Sequence, residues 1–156
     1  MPLIDASNPE ANWQEVLALW SSLANWTHCK PSERELNQQM KQFLIALWSE
    51  KDWMKVQYPT QKARIEKFIN SSESLSIVAD LANTAKHRLL TQKPRSSMSQ
   101  TNFYGKVSVT SDTSRRLHFL RMRDRRHVEV MSVLRKAIDE LEEFRFQLRA
   151  RPKSAA

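Results

Sequence analysis

The sequence predicts a mainly α chain, a four-helix bundle with a β-hairpin inserted before the C-terminal helix. Three observations carry that expectation. Gly105 is the only glycine in 156 residues, which suits a chain with few tight turns. Apolar residues recur at spacings of three and four in four separate stretches, as half-buried helices require. Between the third and fourth stretch, FYGKVSVT at 103–110 switches to alternation, the period of a strand. Hydrophobic residues at 40% and charged residues at 27% are ordinary for a globular protein, and the length allows one real core. Residues 1–148 therefore read as a single domain, and 149–156, with Pro152, as a disordered tail.

The first helix is expected over 8–28. Asn8-Pro9-Glu10 supplies an N-cap, a first-turn proline and an acid, and Trp13, Val16, Leu17, Trp20 and Leu23 follow at helical spacing. All five tryptophans lie before residue 54, and a stripe of them reads first as core and second as a partner surface. Ser32 with Glu35 forms a capping box for a long second helix, defined by Leu36, Met40, Phe43, Leu44, Leu47 and Met54 and ended near Tyr58-Pro59. A third helical stretch starts at Thr60 with Ile65, Phe68 and Ile69 inward. Ser71-Ser72 is a point where it breaks or continues, which leaves 60–91 as one helix or two. Thr91 to Asn102 is polar and reads as a loop.

The hairpin is expected at about 103–122. Val107 and Val109 share one side, SDTS supplies the turn, RRLHFLRM returns, and Gly105 marks a bulge. Asp124 is then the expected N-cap of the last helix. There Val130, Leu134, Ala137, Leu141, Phe144 and Leu148 step by four and three, a stripe suited to the bundle or to a seam with a second copy of the chain.

One glycine excludes glycine-rich phosphate loops and dinucleotide fingerprints, which need several. The longest apolar runs, such as FLIALW at 43–48, are too short to span a bilayer, and the first ten residues lack the basic and apolar parts of a secretory signal. The single cysteine, Cys29, allows no intramolecular disulfide, so a cytoplasmic protein without membrane association is expected. Neither a metal nor a cofactor is expected, since the histidines have no partner at familiar ligand spacing.

The net charge is +8, and it is concentrated. Arg115, Arg116, Arg121, Arg123, Arg125 and Arg126 crowd into twelve residues with Asp124 as their only opposing acid. Arginine presents a planar fork suited to phosphate oxygens, so the cluster points to RNA or another polyanion. A solvated strand edge or an acidic protein partner is the competing reading.

The second constellation is LSIVADLANTAKHRLL at 75–90. Wound as a helix, it sets Leu75, Val78, Ala82, Ala85 and Leu89 on one stripe, widened by Ile77 and Leu81. Asp80, Asn83 and His87 fall on the opposite side with Lys86 at its margin. Such a set can tie down a hairpin lying over the helix. It can also serve chemistry, with His87 as an acid–base group and Lys86 as a phosphate contact.

The string Asp80-Leu81-x-Asn83-x-x-Lys86-His87, on a central helix followed by a hairpin and a last helix, resembles a motif of small bacterial and phage proteins similar to the HEPN superfamily. The likeness covers roughly 60–148 in layout and eight residues in motif. HEPN proteins are helical bundles that include ribonucleases of toxin–antitoxin and phage-defence systems. The family's nucleases use an arginine four to six residues before a histidine, usually across a dimer interface. Arg121-x5-His127 has that spacing here, and His87 has no such arginine before it. The resemblance thus implies a homodimer and a metal-independent ribonuclease. The alternative is a non-enzymatic module whose basic face docks an acidic protein.

Overall fold

The computed structural model describes residues 8–24, 33–87, 104–110, 113–121 and 126–150, with 33, 36, 84–87, 104–110 and 113–121 described by backbone alone. The chain is mainly helical. The elements run α1 (Ala11–Ala24), α2 (Glu33–Gln57), a short 3-10 helix (Pro59–Gln61), α3 (Lys62–Ser71), α4 (Glu73–His87), β1 (Tyr104–Thr110), β2 (Thr113–Arg121), β3 (His127–Glu129) and α5 (Val130–Ala150). The described residues therefore hold five α-helices rather than four, and three strands rather than two.

Each difference has a local cause. Ser72 splits the third helical stretch in two. Its backbone is extended, its N–H closes α3 by donating to the Ile69 carbonyl, and its Oγ accepts the Leu75 N–H at 3.1 Å as the N-cap of α4. The same hydroxyl donates to Glu140 on α5, which anchors the break to the last helix. Asp124 lies outside the described residues, and α5 starts later than that residue would have it. His127–Glu129 is extended because it pairs with the end of β2. Glu129 is then the N-cap, its two carboxylate oxygens accepting the N–H groups of Met131 at 2.9 Å and Ser132 at 2.7 Å. At its far end α5 runs to Ala150 and takes in Arg149, which had been expected in the tail.

α1 begins at Ala11, one turn after Asn8, whose side-chain oxygen accepts the Glu10 N–H at 3.0 Å. Trp26, Cys29, Ser32 and the loop 91–102 lie outside the described residues, and so does the tail beyond Ala150. α2 ends where expected, because Pro59 has no N–H to continue it. β1 and β2 pair antiparallel from Tyr104↔Phe119 to Thr110↔Thr113 without a break. Gly105 faces His118 in that unbroken ladder and marks no bulge.

The core joins α1 to α5. Val16, Phe43, Met54, Ile65, Val78, Ala82, Leu134 and Ala137 are fully buried in it. α4 is the central helix, buried on all sides from Ile77 to Ala82. Phe68 of α3 stacks on Phe144 of α5 with centroids 4.1 Å apart. Trp13 is core, and Trp20 and Trp48 pack partly buried against it. The α5 stripe from Val130 to Leu148 is covered within the chain, so it offers no seam to a second copy. Among the described residues no helix is long and apolar enough to cross a membrane.

Candidate polyanion-binding site

β2 and β3 hold four of the residues singled out in the basic segment. Successive strand residues alternate between faces, and cross-strand partners share one. Val128 packs against the core and lies opposite Leu120. By alternation the core-side face takes Leu120, His118 and Arg116, with Val107 and Val109 of β1. The other face takes Arg115 and Arg121, and there Arg121 stands directly opposite His127, which is exposed. The strand thus divides the arginine cluster, with Arg116 on one face and Arg115 and Arg121 on the other. Arg126, just before β3, reaches across to Glu73 at the start of α4 in an exposed ion pair of 3.0 Å. Arg123 and Arg125 lie outside the described residues.

The α4 constellation is placed differently. Asp80 is 4% exposed, so the side opposite the main stripe is buried as well. Asn83 is half-buried. Lys86 and His87 belong to the last turn of the helix, and their side chains lie outside the described residues. Asp80 lies seven residues along α4 from Glu73, the residue that meets Arg126 just before β3, while the Arg121–His127 row sits on the sheet. The spacing in sequence therefore made two constellations, and the one that the backbone visibly pairs is Arg121 with His127.

A third constellation was missed. Arg145 of α5, 3% exposed, donates through Nη1 to Glu50 of α2 and through Nη2 to Glu10 ahead of α1. Asn12 donates to Glu50 Oε2 at 2.8 Å and to the Ala46 carbonyl at 3.0 Å. The guanidinium also lies 5.1 Å from the centre of the Trp13 ring. Burial pushes the Glu50 carboxyl above its ordinary value, opposed by the Asn12 hydrogen bond and the Arg145 charge, with Glu10 pushing the same way as burial. The signal was present in the sequence. Glu50 fills the gap between Leu47 and Met54 in the α2 stripe, and Arg145 continues Ile138 and Leu141 toward Leu148. Opposite charges at core positions of two helices are best satisfied by each other. Arg145 and Glu50 are closed off between α1, α2 and α5, while Glu10 lies half-buried at the rim and also meets Arg149 at 3.5 Å, so the group braces the helices.

Among the described residues no cluster of three or more histidine, cysteine, aspartate or glutamate side chains is placed to hold a metal ion. No protein-family model matches the chain, and no curated protein or solved structure matches it.

Proposed function

We propose that this chain is a HEPN-like helical domain that engages RNA through its basic segment 115–126. The helices form the bundle, and the sheet inserted before the last helix is its binding surface. One observation carries the reading: six arginines against one acid supply +5 of the chain's +8 within twelve residues. A phosphate backbone is the partner that rewards such density, because each neutralised phosphate releases a counterion. The lone cysteine suits a cytoplasmic setting.

The reading extends to metal-independent cleavage. His127 would take the proton from a ribose 2′-hydroxyl as that oxygen attacks phosphorus and the bond to the 5′-oxygen breaks, and the departing oxygen takes up a proton. Arg121 would neutralise the charge on the phosphorane. The register Arg121↔His127 supports this pair. His87, with Asp80, Asn83 and Lys86 on its helix, is the second candidate for proton transfer. A homodimer belongs to this reading through the resemblance, with a seam other than the buried α5 stripe.

The test is binding of tRNA and total RNA by the purified chain in chelator, followed by gel analysis of the same samples. Binding should weaken linearly in log–log form with salt, and joint Arg115→Ala, Arg121→Ala and Arg126→Ala substitution should remove most of it. RNA should compete better than polyglutamate. Undiminished RNA binding by the triple variant sinks the proposal, and preference for polyglutamate would replace it with an acidic protein partner. If the wild type cleaves, His127→Ala should lower the rate on the order of 100-fold with its melting temperature within a few degrees.

A further inference from the structure

The sheet register brings together residues that no single stretch of sequence shows side by side. Tyr104 of β1, Phe119 of β2 and Glu129 of β3 form one row across the sheet. Arg121 and His127 form the next row toward the β3 end, while Lys106↔Leu117 and Ser108↔Arg115 follow toward the turn. By alternation all of these positions share the face opposite the one on which Val128 meets the core. Exposed His127 shows that this face is open at the β3 end. Glu129, the acid on this face, is engaged with the N-terminal N–H groups of α5.

Two aromatic positions directly opposite one another, flanked by Lys106, Arg115 and Arg121, make a specific combination. A cross-strand aromatic pair alone would stabilise the hairpin and needs no cations around it. Cations alone would hold a phosphate backbone and need no aromatics. Together they are what a single strand of nucleic acid requires, a flat surface on which bases stack beside charges that follow the backbone. A duplex hides its base faces in its own stack and can use only the charges.

We infer that this face binds single-stranded RNA, with Tyr104 and Phe119 stacking on bases and Lys106, Arg115 and Arg121 holding phosphates. The inference rests on the RNA reading above and adds to it the strandedness of the substrate and the residues that select it.

Fluorescence anisotropy with a labelled twelve-nucleotide RNA, free and annealed to its complement, tests it. Tyr104→Ala and Phe119→Ala should each weaken single-strand binding by about tenfold, the order expected for a lost base stack, and leave duplex binding within about twofold. Circular dichroism melts identify any variant that loses its fold. For the unaltered protein, photo-crosslinking to the same RNA carrying 4-thiouridine should label peptides containing 104–106 or 115–121. Wild-type protein that binds neither RNA would overturn the RNA reading itself and this inference with it. Folded aromatic variants that bind the single strand as tightly as wild type would overturn the inference alone, and so would crosslinks confined to the helices.

Discussion

Glu50 and Arg145 show what a single residue does at a position that helical periodicity reserves for an apolar side chain. Arg145 holds two carboxylates from two other segments, and Glu50 has Asn12 as a second donor, so the buried charges are compensated. Compensation is incomplete for Glu50, whose carboxyl burial raises above its ordinary 4.5. The folded chain therefore keeps this proton to a higher pH than the unfolded chain does. The stability it contributes is complete below 4.5 and is lost as pH rises through the folded value. Glu50→Gln keeps the shape and the Asn12 partner but does not titrate. Urea melts of both proteins from acid to neutral pH should show the variant gaining on the wild type as pH rises above 4.5. A difference that is flat in pH would mean that folding does not shift the Glu50 carboxyl, and one that moves in favour of the wild type as pH rises would mean that folding lowers it.

At the scale of elements, the helices were legible wherever the signal was local. α2 ends at its proline, and Ile65 and Ile69 of α3 are buried as their spacing required. The start of α5 was not legible, because Asp124 is a good cap in isolation while β3 exists only through pairing with β2. The break at Ser71-Ser72 was visible as a site but not as a decision, since its anchor is Glu140, far along the chain. Ser72 now serves two partners, capping Leu75 and donating to Glu140. Ser72→Ala should lower stability by about 1 kcal/mol or somewhat more, the usual effect of a lost cap. Glu140→Ala should lower it less. The double variant should be less destabilised than the sum of the two by at least about 0.5 kcal/mol, because both remove the same hydrogen bond. Strict additivity in a double-mutant cycle would mean that the break is held by the cap alone.

Over the whole molecule the decisive property is where charge sits, and composition and register contribute differently to it. The concentration of arginine at 115–126 was readable from the sequence. Which arginines act together was not, because a shift of one residue in strand pairing moves every side chain to the other face. The observed register gives Arg115 and Arg121 to the face away from the core and Arg116 to the face of Val107, Val109 and Val128. Charges more than about 8 Å apart are screened from one another at physiological salt, so membership of a face matters more than nearness in sequence. The salt dependence of RNA binding reports that membership. For a single strand the slope of log affinity against log salt is about −0.7 for each phosphate neutralised. Arg115→Ala and Arg121→Ala should each flatten the slope by about that amount, while Arg116→Ala should leave it unchanged. If Arg116→Ala flattens the slope as much as the other two, the polyanion contacts both faces of the sheet, and the division of the cluster by strand alternation has no bearing on binding.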